Sequence, residues 1–289
     1  MNGHIVVARD QALQVRLLEF ARTLRLVFVT GLPGTGKSLV IHQLAHLAAG
    51  AGRRVHLLQW DVARPVFEAA EAARRYPIVN GVTDPMIRKA VGIWSRQALV
   101  QWGHRWPGET DLLLGEAPLV GGRLIELARQ QDDAAEVILT APSCRFVLPV
   151  PSAEVRRFLE AERERRMARP AHPREREDAP PSVLRDLWLE LADVARDLGM
   201  SAVAHGRSSP YDPAIYQRVY SRVLCRRRVE ILDLDVVLPT ASLSVYNFAV
   251  PCVELVPSAE EVDAAVRLAE ASHPDAQALA RASARWWDT

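Results

Sequence analysis

Gly31-Leu32-Pro33-Gly34-Thr35-Gly36-Lys37-Ser38 is the stretch from which the fold of this chain is read. An apolar run, Leu26-Val27-Phe28-Val29-Thr30, precedes it, and a helical pattern in Leu39, Val40, Leu44 and Leu47 follows. The order is strand, glycine-rich loop, helix, with the G-x-x-x-x-G-K-[ST] spacing of a phosphate-binding loop. Glycines at 31, 34 and 36 let the backbone turn tightly, so that successive N–H groups converge on phosphate oxygens. Lys37 is placed to reach the outer phosphates. The Ser38 hydroxyl is placed to ligate Mg2+ at a helix N-terminus whose dipole favours anions. An ordinary glycine-rich turn is the competing reading. Composition weighs against it, because Lys37 and Lys89 are the only lysines in an otherwise Arg-based chain. The expectation is an ATP site with Mg2+, built from Gly31, Leu32, Pro33, Gly34, Thr35, Gly36, Lys37 and Ser38.

The bulk numbers bound the rest. A length of 289 residues suits one large α/β domain or two small ones. A formal net charge of +1 gives no global pull toward nucleic acid or membrane, so such a partner would need a local patch. Cys144, Cys225 and Cys252 show no C-x-x-C or metal-site spacing and read as reduced, buried thiols of a cytoplasmic protein. No export signal and no run of eighteen or more apolar residues stands out, so no membrane partner is expected.

Outward from the loop, residues 1–24 hold Ile5-Val6-Val7 and an amphipathic helix through Leu13, Leu17, Leu18, Ala21 and Leu24, expected to pack outside the central fold. Gly50 and Gly52 end the helix after the loop, and Val55-His56-Leu57-Leu58-Gln59 is the second strand. Strand, helix, strand implies a parallel sheet, and in such sheets ligands gather beyond the carboxyl ends of the strands. Trp60-Asp61-Val62-Ala63-Arg64 falls there. Asp61 and Arg64, three apart, share one helix face. The carboxylate suits proton removal from an attacking hydroxyl, and the guanidinium suits an anionic acceptor or a phosphoryl group in transfer. A helix N-cap with a solvated Arg is the structural alternative.

These residues carry a resemblance. Gly31, Gly36, Lys37, Ser38, Asp61 and Arg64 together resemble the P-loop kinases with a D-x-x-R motif after the second strand, such as adenylylsulfate kinases, the kinase domain of phage polynucleotide kinase and zeta-type toxins. In those families the Asp is taken as the base and the Arg contacts the acceptor side. The resemblance implies a three-layer P-loop NTPase fold of class α/β, with a five-stranded parallel sheet in the order 2-3-1-4-5. It further implies helices on both faces and a helical lid. It covers roughly residues 25–240 in architecture, and its specific motifs occupy only about a dozen positions. Residues 1–289 are accordingly read as one domain, with an N-terminal extension over 1–24, a lid over about 160–182 and a C-terminal extension over 245–289.

Residues 65–108 read as mostly helical, with Trp94, Trp102 and Trp106 as packing residues. Asp111-Leu112-Leu113-Leu114 is the third strand, followed by Gly115-Glu116 and a helix at Leu124-Ile125-Glu126-Leu127. Glu116, read as lying past the strand, is the candidate second metal ligand, although an Asp is commoner at that place. Asp233 is a rival acid, but its late position suits a last strand. Glu136-Val137-Ile138-Leu139 is open between strand and helix. Arg145 to Pro149 is the fourth strand, and Ser152 caps a charged helix running to about Met167. A polar, proline-bounded stretch follows, from Arg169 to Pro181.

That order resembles the lid of P-loop kinases, in which arginines arrive over the phosphates on closure. Arg163, Arg166 and Arg169 are the candidates. Interleaved Glu160, Glu162 and Glu164 keep a solvated, salt-bridged helix open as the alternative. A helix from Ser182 to about Leu198, a second from Ala214 to about Arg226 and a fifth strand at Val229 to Val237 come next. The Pro239-Thr240-Ala241-Ser242 turn is where such kinases border the adenine. A strand-like piece from Val250 to Val256 and a helix capped by Ser258 and Glu261 follow.

The first functional expectation is an ATP-dependent phosphotransferase that moves the γ-phosphate to a hydroxyl of a small-molecule or nucleotide acceptor, its partners being ATP and that unidentified acceptor. Lys37, Asp61 and Arg64 are its catalytic residues, and Ser38 and Glu116 hold the metal. A second reading is a P-loop ATP-binding regulator or slow ATPase acting through a partner. A third is a polynucleotide 5′-hydroxyl kinase, for which the basic stretch Arg163 to Arg176 is diluted by acids.

Overall fold

The computed structural model describes residues 5–176, 178–200, 209–238, 240 and 243–289. Pro239, Ala241 and Ser242 of the expected adenine-bordering turn lie outside these, as does Gly206 to Ser208.

The sheet has six parallel strands: β1 (Leu26–Thr30), β2 (Arg54–Gln59), β3 (Asp111–Ala117), β4 (Cys144–Pro151), β5 (Val229–Leu234) and β6 (Cys252–Glu254). Their order is β5-β4-β1-β3-β2-β6. The expectation of five strands is corrected to six. Read from β2, the run 2-3-1-4-5 is kept, and β6 adds itself outside β2 through Val55↔Cys252 and Leu57↔Glu254. β6 falls within the strand-like Val250 to Val256 stretch.

Most residues of β1 to β4 are apolar and buried because both faces are covered. Leu26, Phe28, Leu58, Leu113, Phe146 and Leu148 face one layer, made by α4 (Pro85–Arg105), α7 (Pro181–Asp197), α8 (Pro213–Val223) and α9 (Ala259–Ser272). The alternate residues Val27, Val29, Val55, Leu57, Leu112 and Leu114 face α1 (Gln11–Thr23) and α2 (Lys37–Gly50). Leu13, Leu17 and Phe20 of α1 are buried there, each contributing roughly 1.5–3 kcal/mol. The N-terminal helix therefore belongs to the core instead of lying outside it. The C-terminal segment does too, through Val262, Ala265, Val266 and the fully buried Trp286.

Local signals set the ends. Ser152 accepts from the Val155 N–H at the start of α6 (Ala153–Ala168), and Ser258 with Glu261 forms a complete capping box on α9. Glu136 to Leu139 is helical, within α5 (Ala134–Thr140), and Ile125 to Leu127 is a 3-10 turn. Among the cysteines only Cys144 is buried; Cys252 is intermediate and Cys225 is exposed at the end of α8, which corrects the expectation that all three are buried. Among the described residues no helix is long and apolar enough to cross a membrane.

Candidate active site

The loop between β1 and α2 needs its glycines. Gly31, Gly34 and Gly36 have φ of 127°, 76° and 90°, in the range that side-chain-bearing residues rarely adopt. Gly36 is the N-cap of α2, so the unpaired N–H groups of the first turn open next to the loop. Thr35 donates to the Leu32 carbonyl at 2.8 Å, and Lys37 Nζ donates to the same oxygen at 3.0 Å. Behind the loop, Arg156 is buried and donates to the Pro33 carbonyl at 2.8 Å while pairing with Glu160 at 2.7 Å. It ties α6 to the loop. The sequence marked Arg156 only as one charge among many on that helix.

A cavity of about 440 Å³ opens from this loop, within the range of small-ligand sites. Lys37, Ser38, Asp61, Arg64, Glu116, Arg163 and Arg166 all line it. Arg169 does not: α6 ends at Ala168, and Arg169 is its exposed C-cap, with φ of −140°. Thr240, from the expected adenine-bordering turn, is in the lining.

Glu116 lies inside β3, opposite Val29 of β1 and Gln59 of β2, and not past the strand. The strand continues through Gly115 because Phe28 fills the space a side chain would take. A Cβ there would stand 2.3 Å from Phe28 Cδ1. Glu116 Oε1 is 3.3 Å from Lys37 Nζ. Burial pushes the Glu116 carboxyl above its ordinary value, opposed by Lys37 and reinforced by Asp61. Burial likewise pulls Lys37 down, opposed by Glu116. Each group opposes the loss of charge that burial favours in the other.

Asp61 sits in the first turn of α3 (Trp60–Ala69), exposed to the cavity and close enough to act on both partners of that pair. Arg64, one turn on, pairs with Glu68 at 2.9 Å, and Glu68 also accepts from Thr83 at 2.7 Å. Opposite, Arg163 stands 3.6 Å from Asp178, which accepts from the Tyr246 hydroxyl at 2.6 Å. Arg166 pairs with Glu162 at 2.8 Å and Glu175 at 3.4 Å. The segment read as a lid thus supplies one wall of the cavity, with Arg163 and Arg166 already paired. Burial raises the Asp178 carboxyl, against the pull of Arg163.

Arg123 is in the lining as well, and sequence reasoning missed it. It sits on the loop after β3, where Leu119 (φ 64°) and Leu124 (φ 58°) are both left-handed and buried. Such residues cost about 1–3 kcal/mol each and persist only where packing dictates them. Tyr220 donates to the Pro118 carbonyl at 2.9 Å, and Arg88 donates to the Gly121 carbonyl. The only sequence hint was Gly121-Gly122 just ahead of the arginine.

A nucleotide-borne Mg2+ takes oxygen ligands and keeps several waters. The Ser38 hydroxyl and Glu116 carboxylate are oxygen donors on one cavity, so the donor set fits such an ion. Among the described residues no cluster of three or more His, Cys, Asp or Glu could hold a metal by itself.

No protein-family model matches the chain, and no curated protein or solved structure matches it either.

Proposed function

We propose that this chain is an ATP-dependent phosphotransferase that moves the γ-phosphate of ATP to a hydroxyl of a small-molecule or nucleotide acceptor. The observation that carries the reading is one cavity, at the carboxyl ends of parallel strands, that joins the glycine-rich loop, the Lys37–Glu116 pair, Asp61 and a wall of arginines. A bare nucleotide-binding loop would not need a carboxylate and an arginine at the far side of the same cavity.

In this reading the loop N–H groups and the start of α2 hold the phosphates, and Lys37 neutralises the outer ones. Ser38 and Glu116 would hold Mg2+, which supplies charge neutralisation across the phosphates. The acceptor hydroxyl oxygen forms a bond to the γ-phosphorus, the bond from that phosphorus to the β-phosphate oxygen breaks, and ADP leaves. Asp61 takes the hydroxyl proton. Arg163 and Arg166 exchange their carboxylate partners for phosphoryl oxygens as charge shifts in the transition state.

The test follows γ-labelled ATP with Mg2+ in the presence of pooled nucleosides, nucleotides, sugars, aminoglycosides and 5′-hydroxyl oligonucleotides. Label on an acceptor is expected. Label found only as free phosphate would overturn the reading in favour of a slow ATPase or regulator.

A further inference from the structure

The cations on the cavity wall are each paired with a carboxylate, with one exception. Five cationic side chains line it: Lys37, Arg64, Arg123, Arg163 and Arg166. Lys37 has Glu116 at 3.3 Å, Arg64 has Glu68 at 2.9 Å, Arg163 has Asp178 at 3.6 Å and Arg166 has Glu162 at 2.8 Å. Among the described residues Arg123 has no carboxylate within ion-pair distance. The one hydrogen bond of its side chain there runs from Nη1 to the Val120 carbonyl, within its own turn, at 3.0 Å.

A second guanidinium stands behind the first. A Cβ on Gly121 would lie 2.9 Å from Arg123 Nη1 and 3.4 Å from Arg88 Nη1, so the two groups flank one glycine. Arg88 also lacks a carboxylate at ion-pair distance among the described residues, and its buried Nε has no hydrogen-bond partner. Burial and this neighbour lower the affinity of Arg88 for its proton, yet an arginine stays charged. Two adjacent cations, partly withdrawn from water, have Glu190 acting on both and Asp61 on Arg123 only from beyond ion-pair distance, so an anion placed directly on the guanidinium would complete them. The left-handed Leu119 and Leu124 hold the turn that presents Arg123 to the cavity, so the arrangement is not an accident of a loose surface loop.

The position says which molecule the anion belongs to. Arg123 shares the cavity with Asp61 and Arg64 at the ends of β2 and β3, and it is sensitive to the charges of both. We propose that Arg123 is the specificity-determining residue of the acceptor site, and that the acceptor carries an oxyanion, a phosphate, sulfate or carboxylate, which the Arg123 guanidinium holds. This rests on the phosphotransferase reading above and narrows its substrate class. Neutral sugars, nucleosides and polycationic acceptors are disfavoured, because they would leave Arg123 without a partner.

The experiment compares matched acceptors with γ-labelled ATP and Mg2+. The pools pair nucleosides with nucleoside monophosphates, sugars with sugar phosphates, and glycerol with glycerate. An anionic member is expected to be labelled at least tenfold faster than its neutral partner. Arg123→Met should then raise the KM for that acceptor at least tenfold, about 1.4 kcal/mol, while the KM for ATP stays within twofold. Arg123→Lys should recover part of the loss. Equal labelling of the neutral partners would overturn the Arg123 assignment and leave the phosphotransferase intact. Label found only as free phosphate in every pool would overturn both. The wild-type comparison decides the matter even if Arg123→Met folds poorly.

Discussion

Arg227→Met isolates the ion network that holds the chain from Glu126 to Glu136, just after the loop carrying Arg123. The Arg227 side chain is fully buried and bonds Glu136 at 2.6 and 3.1 Å, the Leu127 carbonyl at 2.7 Å and the Arg129 carbonyl at 2.7 Å. Arg96 meets the same Glu136 at 2.9 Å and the Glu126 carbonyl at 2.7 Å. Breaking a buried pair from one side costs about 3–5 kcal/mol. The Leu127 carbonyl, left without its donor, adds roughly 1 kcal/mol, while the Arg129 carbonyl keeps Arg96 at 3.2 Å. Arg96 retains part of the pairing with Glu136, so the total expected is about 5 kcal/mol, a large part of the stability of an ordinary domain. Urea unfolding at pH 7 measures it, as a fall in midpoint at unchanged slope. Acid supplies a second check. Burial alone would raise the Glu136 carboxyl, but Arg227 and Arg96 hold it below its ordinary value of 4.5. A depressed carboxyl stabilises the fold above that value and loses its contribution as pH falls through the depressed one. The gap between wild type and variant should therefore narrow below about pH 4. A loss under ~1 kcal/mol at pH 7, or a gap that widens in acid, would refute the reasoning.

Two further outcomes follow from the glycine-rich loop. Gly31→Ala places a Cβ 2.0 Å from Tyr216 Oη at φ of 127°, so a loss of about 3 kcal/mol or more is expected. Thermal unfolding should show part of it restored in Gly31→Ala/Tyr216→Phe; no recovery would mean that the backbone alone sets the cost. Lys37→Ala should abolish ATP turnover, and full activity in that variant would remove the loop from the mechanism.

Much of the fold is legible in the sequence wherever a local rule decides. The run from Leu26 to Gly50 shows strand, loop and helix by period and by glycine placement, and Ser152, Ser258 and Gly199 mark helix ends where the structure has them. What was missed depended on neighbours distant in the chain. Gly115 looks like a strand end until Phe28 is seen to occupy its side-chain space, and that moves Glu116 into β3. β6 is three residues long and is a strand only because Val55, His56 and Leu57 offer it an edge. Arg123 belongs to no motif; its exposure to the cavity is set by the packed turn from Pro118 to Leu124. Helical spacing grouped Arg169 with Arg163 and Arg166, but the helix stops one residue short of it.

The central claim, that Asp61 serves phosphoryl transfer from ATP, is tested most directly by Asp61→Asn. Asp61 is exposed in the first turn of α3, so the fold should lose less than about 1 kcal/mol. ATP affinity and transfer rate, measured on the same preparation, then separate binding from chemistry. The account predicts near-normal ATP affinity with transfer to the acceptor reduced by about 10²-fold or more. Equal transfer rates in the two proteins would contradict it.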